Sequence, residues 1–457
     1  MAVTSVVRLS ELEGARRIDA EYYQPEYLEV KNQLLNTKFI YLKNLVNEII
    51  HPKEIKREYE EGNKDYLFLL AQNVRPLMLD LSKKKYISNE IAKLMPKNLL
   101  EYGDILFIRT GAVGDVTAYS EQSEKVIASA HILIGKPNFK LSPFYLAIFF
   151  NTKLGKSSII RGTYGALQPE ISPEYLKRIP VPILNKELIE EVENLFLKAQ
   201  DLFKESEILY SQAESLLLSE LGLQNFKPKE ELFYEVSLSE TNTAHRIDAE
   251  YFSPKYNEFI EKINNKAELR AFKEFIISVK KGVEVGAEKY QEEGIPFIRV
   301  SNLSINGLTD KDQKYITEED YQLLKDKFEP KEGEILLTKD ATPGISYFVK
   351  EPIKGIISSG VLRLKVKNID PEYLCLCINS IIGKSQIERD GGGSIITHWK
   401  PNQIKNLLIP ILPLKTQQKL AELVQESEKA RRKAKQLLEE AKKKVEEEIE
   451  KQQYESP

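Results

Sequence analysis

A chain of 457 residues exceeds one ordinary core and calls for two or three domains. A hydrophobic content of 42% beside 30% charged residues excludes a disordered chain. The net charge of −3 hides an asymmetry: residues 38–184 hold 21 Lys/Arg against 15 Asp/Glu, whereas residues 185–222 hold 3 against 9. A basic globular stretch is therefore followed by an acidic helical one.

The N-terminus carries charges where a signal peptide needs an apolar run. An opening segment, 1–37, bears Arg17-Ile18-Asp19-Ala20-Glu21-Tyr22-Tyr23. Residues 38–184 form a first globular domain, with strands expected at 66–70 and 105–109 and a proline-opened helix at 143–151. Gly155-Lys156-Ser157 resembles the end of a phosphate-binding loop, but Phe150 stands where that loop needs glycine, so a turn between helices is expected. From 185 to 222 there is no Pro or Gly before Gly222. Leu188, Val192, Leu195, Ala199, Leu202, Ser206, Leu209, Ala213 and Leu216 recur at alternating spacings of four and three, a heptad seam.

A second opening segment, 223–265, repeats the motif as Arg246-Ile247-Asp248-Ala249-Glu250-Tyr251-Phe252. Residues 266–412 form a second globular domain, with strands expected at 296–300 and 334–338 and a helix at 371–379. Cys375 and Cys377, the only cysteines, lie in that apolar run; one residue apart, they build no disulfide framework and point to a reducing compartment. Gly383-Lys384-Ser385 has Ile378 in place of the required glycine, and Gly391-Gly392-Gly393 lacks a following dinucleotide-type helix start. Residues 413–457 form a second long helix, whose seam is Leu423, Ser427, Ala430, Ala434, Leu437, Ala441 and Val445. Each helix, about 40 residues and roughly 60 Å long, needs a partner for its stripe, and antiparallel packing of the two is the simplest solution. The apolar runs are too short to span a bilayer, and a cytoplasmic protein without membrane association is expected.

The chain is thus written twice. The motif, Tyr86-Ile87-Ser88, Gly103-Asp104-Ile105-Leu106, Asn151, Gly155-Lys156-Ser157 and Ile179-Pro180 all return in order, at offsets of 228 to 230. Between the matches the copies differ, as in 72–76 against 300–304. A shared frame presents different surfaces. The expected fold is α+β: two similar globular domains separated by two long antiparallel coiled-coil helices, with pseudo-twofold organisation.

Enzyme signals are lacking. His51, His131, His245 and His398 are scattered without metal-ligand spacing, and no nucleophile–base pair or cofactor loop stands out. Residues suited to base edges and phosphates are more numerous: Gln72, Asn73, Arg75, Arg109, Thr110, Arg161, Thr163, Tyr164 and Gln168 in the first copy, and Arg299, Ser301, Asn302, Lys339, Asp340, Thr397, His398, Trp399 and Lys400 in the second. Arg bonds guanine, and Asn or Gln bonds adenine, bidentately in the major groove; Lys, Ser and Thr serve phosphates.

The series Ile295-Pro296-Phe297-Ile298-Arg299-Val300-Ser301-Asn302-Leu303, Lys314-Tyr315-Ile316, Glu332-Gly333-Glu334-Ile335-Leu336-Leu337, Gln403 to Leu414 and Thr416-Gln417-Gln418 resembles the specificity subunit of type I restriction–modification systems. The first copy departs from it, with Gln72-Asn73-Val74 and Asn185-Lys186-Glu187 in place of the more typical residues. The resemblance implies two target-recognition domains, each reading one half of a split double-stranded DNA site, and helices that set the spacing and dock two modification subunits. It also implies no catalysis, cofactor or metal in this chain. S-adenosylmethionine would belong to the methyltransferase subunits, and ATP and Mg to a motor–nuclease subunit. Two other classes remain: an unfamiliar DNA-modifying enzyme, and a coiled-coil scaffold with two protein-binding domains.

Overall fold

The computed structural model describes residues 4–12, 17–54, 59, 65–81, 84–121, 124–165, 168–228, 231, 233–310, 312–391 and 398–455. The chain divides into two compact units, Met1–Lys204 with Arg431–Pro457, and Glu205–Ala430.

In the first unit, the strand order of the four-stranded sheet is Val46–Ile50, Ile132–Pro137, Ile105–Ile108, Val116–Ala118, antiparallel throughout. All four residues of Ile105–Ile108 are buried, which explains why this run is continuously apolar and not alternating. A three-stranded sheet follows, Tyr86–Ile87, Tyr66–Leu69, Val126–Ala128, its second pair parallel. Phe39–Tyr41 pairs with Pro180–Pro182, and Val74–Arg75 with Met78–Leu79. The second unit repeats all four sheets in the same order. Ile276–Lys281, Val361–Val366, Ile335–Thr338, Ser346–Phe348 form the four-stranded sheet, and Lys314–Ile316, Ile295–Ile298, Ile356–Ile357 the three-stranded one. Glu268–Ala271 pairs with Leu408–Ile411, and Leu303–Ser304 with Gly307–Leu308.

Each unit seats a buried apolar helix against its larger sheet. Pro143–Phe150 is opened by Ser142, whose hydroxyl accepts from the Phe144 and Tyr145 amides; Pro371–Asn379 is opened by Asp370 in the same way. Tyr145 and Tyr373 both donate to a proline carbonyl of the two-stranded sheet, Pro182 and Pro410, at 2.7 Å. The Gly-Lys-Ser triplets are not turns. They lie inside the helices Lys153–Arg161 and Ile381–Gly391. A Cβ at Gly155 would fall 2.0 Å from the Phe149 carbonyl oxygen, and one at Gly383 2.1 Å from that of Ile378. Glycine is needed there because consecutive helices meet backbone to backbone.

The first long helix is Lys186–Glu220 and the second Leu414–Glu455. Within the first unit their segments run antiparallel: Asn185 bonds Glu448, and Glu191 pairs with Lys444. Within the second unit the Ser206 and Ser427 hydroxyls meet at 3.0 Å, both buried. The observed stripe of the first helix is Val192, Phe196, Ala199, Phe203, Ser206, Ala213 and Leu217. Leu188, Leu195, Leu202, Leu209 and Leu216 are only half-buried flanks, which corrects one half of the expected seam. The reason is a second contact, because Phe196 stacks on Phe144 of the globular domain at 5.2 Å. In the second helix Ser427, Ala430, Ala434, Leu437, Ala441 and Val445 are buried, and Leu423 is half-buried. Cys375 and Cys377 are buried and unpaired by disulfide.

One buried cluster in the second unit titrates. Lys350 bridges the carboxylates of Glu372 and Glu428. Burial, and then the Glu428 charge, push the Glu372 carboxyl up to about 7. With one carboxyl protonated the trio is neutral, which suits its burial. A pKa raised on folding from 4.5 gives stability that is complete below pH 4.5 and lost as pH rises through 7. Glu372→Gln is therefore expected to remove about 1–3 kcal/mol of pH-dependence between pH 5 and 8. Urea titrations followed by the fluorescence of Trp399, the only tryptophan, check it. Equal pH slopes for both proteins would refute it.

Candidate nucleic-acid interface

The repeated motif turns out to be a clamp. The Arg17 guanidinium bonds both carboxylate oxygens of Asp19, at 2.8 and 2.6 Å, and donates to the carbonyls of Gly162 and Thr163. That fork holds the Asp19 carboxyl below the usual range. The ring of Tyr22 lies between Arg17 and Arg161, 4.4 and 4.1 Å from the two guanidinium carbons. Arg161 also donates to the Tyr22 carbonyl at 3.1 Å. The second copy repeats the arrangement. Arg246 forks onto Asp248 and donates to the Asp390 carbonyl, Arg389 donates to the Tyr251 carbonyl at 3.1 Å, and Tyr251 lies between the two arginines. Each clamp ties an opening segment to the end of a domain helix.

Several of the residues expected to face DNA are committed inside the fold. Arg161, 6% exposed, belongs to the clamp. Asn73 and Asn302 are buried and do the same job at equivalent turns. Asn73 accepts from the Leu70 amide and donates to the Asp80 carbonyl; Asn302 accepts from the Arg299 amide and donates to the Thr309 carbonyl. The turns taken as divergent are therefore one structure, offset by 229. Trp399, 2% exposed, fills the core and donates its indole N–H to Asp390 at 3.1 Å. Thr110 is buried, its hydroxyl 2.7 Å from His131 Nδ1. The Thr163 hydroxyl caps its helix by donating to the Ile160 carbonyl. A buried polar group with its partners in place gains nothing from a base edge. Thr397 lies outside the described residues.

The remaining residues gather at two places in each copy. The first is the end of the central strand. After Ile105–Ile108 come Arg109 and Thr110; after Ile335–Thr338 come Lys339 and Asp340. Here Thr110 bridges to Glu170, and Asp340 to His398, as isolated antiparallel contacts. The same backbone slot thus carries Arg109–Glu170, an ion pair at 3.6 Å, in one copy and Asp340–His398, at 2.8 Å, in the other. The His398 and Lys339 donors hold the Asp340 carboxyl below its usual range although burial opposes this. Burial, and then the Arg109 cation, lower the nearby His51. Tyr164 and Gln168 stand exposed beside the first slot, and Lys400 beside the second. Glu170 was missed in the sequence; its signal was its register with His398, at offset 228.

The second place is the turn holding Gln72 and Arg75 in one copy and Arg299 and Ser301 in the other; Gln72 and Ser301 are exposed, Arg75 and Arg299 half-buried. In the second copy it adjoins the first place. A Cβ at Gly360 would meet Val300 at 2.7 Å and Asp340 at 3.5 Å. Among the described residues, Arg109 Nε and Arg299 Nε are buried donors without a partner. Also among the described residues, no group of His, Cys, Asp or Glu is placed to hold a metal, and no helix is long and apolar enough to cross a membrane.

The doubled α+β unit thus repeats one strand-end slot with different side chains in each copy. Residues 264–443 match the model of the type I restriction modification DNA specificity domain, so that stretch of the chain carries such a domain. Comparison with curated proteins finds none that match. Among solved structures, the chain is similar to the type I restriction-modification S subunit from M. genitalium, at 12% identity and a TM-score of 0.43, over 90% of this chain and 96% of that one. It is also similar to the HsdS subunit from Thermoanaerobacter tengcongensis, at 11% identity and a TM-score of 0.27, over 91% and 96%.

Proposed function

We propose that the chain is the sequence-specific DNA-binding subunit of a type I restriction–modification complex and reads a bipartite site in double-stranded DNA. The observation that supports this best is the strand-end slot. Its backbone is the same in both copies, yet it presents arginine and glutamate in one and lysine, aspartate and histidine in the other. A binder built to read two different half-sites needs one frame with exchangeable edges. On this reading, residues 38–184 and 266–412 are the two recognition domains, opened by 1–37 and 223–265. Helices 185–222 and 413–457 set the number of unread base pairs between the halves. Gln72, Arg75, Arg109, Tyr164, Gln168, Arg299, Ser301, Lys339, Asp340, His398 and Lys400 form the contact set. Chemistry belongs to the partners: two methyltransferase subunits carrying S-adenosylmethionine, and motor–nuclease subunits using ATP and Mg.

A chimera carrying residues 66–170 of another specificity subunit tests the reading. Methylation mapping is expected to show one half of the site replaced and the other unchanged. Changes in both halves refute modular reading. Turnover by the purified chain that vanishes with a point mutation in it favours the enzyme alternative.

A further inference from the structure

The two clamps differ in what closes them. In the first copy Tyr175, the third residue of the short helix Pro173–Leu176, fills the space beside the Tyr22 ring. The two rings meet edge to face, 6.0 Å between centres, and the Tyr175 hydroxyl donates to the Ser158 carbonyl at 2.8 Å. A Cβ at Gly162 would fall 2.0 Å from the Tyr175 ring, so only glycine admits it. At the offset of 228, Gln403 stands for Tyr175, Asp390 for Gly162 and Gln386 for Ser158. Both glutamines are turned to backbone. Gln403 donates to the Asp390 carbonyl, and Gln386 exchanges two bonds with Leu408. What remains beside Tyr251 is a cavity of about 280 Å³, bounded by Arg246, Tyr251, Gln386, Arg389, Asp390 and Gln403. The second copy also has two more residues between Gln403 and Ile409 than the first has between Tyr175 and Ile179, and Leu407 and Leu408 of that stretch line the cavity.

We infer that this cavity binds a small molecule carrying one hydroxylated aromatic ring, the group that the first copy supplies from its own chain. The walls suit such a ligand. Arg246 and Arg389 hold the Tyr251 ring, with guanidinium carbons at 4.4 and 4.7 Å, so it is set to receive a second ring as Tyr22 receives Tyr175. Ile260 and Leu407 add apolar contact. Ser385 and Asn406 line the cavity and make no side-chain hydrogen bond among the described residues, which leaves them to meet a hydroxyl. The volume is just under the roughly 300 Å³ at which small-molecule sites begin, room for one ring and short substituents. The site has a built-in reporter. Asp390 in its wall accepts the Trp399 indole N–H, and the Trp399 amide donates to the Lys339 carbonyl at the strand-end slot, at 2.8 Å. Binding there needs neither DNA nor a partner chain.

The probe is p-cresol, the tyrosine side chain as a free molecule, titrated into the full chain by isothermal calorimetry, with Trp399 emission as a second signal. Wild type is expected to take up one equivalent, saturably, and to shift the Trp399 emission. Gln403→Tyr combined with Asp390→Gly, which copies the first unit, should weaken uptake at least tenfold. Ala244→Phe, which fills the cavity from its half-buried rim, should do the same while leaving the Asp390–Trp399 bond in place. Tyr175→Ala should open the matching place in the first unit and raise uptake to two equivalents. Cyclohexanol, which has a hydroxyl but no flat ring, should bind at least tenfold more weakly than p-cresol. Wild type that takes up no p-cresol, or takes it up without saturation, overturns the site. So does uptake that neither filling variant weakens. Cyclohexanol bound as tightly as p-cresol, or a Tyr175→Ala chain that folds normally by circular dichroism yet stays at one equivalent, overturns the choice of ligand.

Discussion

Arg363→Met is expected to destabilise the second unit by about 3–5 kcal/mol, the cost of leaving one partner of a buried ion pair alone. The Arg363 side chain is 1% exposed and its partner Glu334 5%. The guanidinium grips both carboxylate oxygens, at 2.6 and 3.0 Å, and spends its remaining arm on the Lys327 carbonyl at 2.8 Å. Glu334 in turn accepts from the Lys331 amide, fixing the turn that feeds the central strand. Methionine fills the volume but leaves the carboxylate with that single amide. In a unit of this size the melting midpoint should fall by roughly 10 °C. The Trp399 signal isolates the second unit from the first, so the two unfolding events need not be disentangled. Arg363→Met combined with Glu334→Leu should recover most of the loss, because an apolar pair removes the orphaned charge. The first copy offers an internal contrast. Asp104 occupies the place of Glu334, but its cation is Lys136, and burial raises the Asp104 carboxyl. Lys136→Met should therefore cost less, since the aspartate can take a proton. Equal losses at Arg363 and Lys136, or no recovery in the double variant, would refute this account.

What the sequence disclosed and what it hid have separate physical causes. Strand and helix cores were legible because full burial forces unbroken apolar runs: Ile105–Ile108, Ile335–Thr338 and Pro143–Phe150 lie within a residue of expectation at each end. The doubling was legible because each match marks a backbone constraint, such as the close helix contact at Gly155 and Gly383. The seam of the first helix was half legible. Two heptad assignments share Val192, Ala199, Ser206 and Ala213, and the deciding contact, Phe196 on Phe144, comes from a residue 52 positions away. At the candidate site, Asn73 and Asn302 looked like base readers because an asparagine that closes a turn and one that bonds adenine are chemically the same residue. Only the partners at Asp80 and Thr309 tell them apart. Arg161 and Trp399 failed similarly, since the sequence gives no sign of Tyr22 or Asp390 beside them. The motif was legible only as a repeat; its Arg–Asp fork and its ring between two guanidinium groups require the distant helix end to be in place.

Arg109→Ala and Lys400→Ala should both weaken DNA binding, but in different ways. Arg109 is held by Glu170 at 3.6 Å, and its Nε is buried without a partner, so the guanidinium is aimed before DNA arrives. An arginine so positioned suits the O6 and N7 atoms of guanine, a contact carrying about 1–3 kcal/mol of discrimination. Its removal should lower affinity for the cognate site by roughly 5- to 150-fold, relax one base of one half-site, and barely alter binding to unrelated DNA. Glu170→Gln should do less, because it removes the charge that steadies Arg109 and leaves the contact itself. Lys400 is exposed and its ammonium group has no fixed plane, so it suits a phosphate. Its removal should weaken binding uniformly across sequences and reduce the slope of log affinity against log salt by about 1. The measurement is a titration of the assembled complex on duplexes carrying each single-base change, at several salt concentrations. If Arg109→Ala lowers affinity for every sequence alike and flattens the salt dependence, the strand-end slot touches the backbone and not the bases. The variable edge of the frame would then have to be sought at the turn holding Gln72 and Arg299.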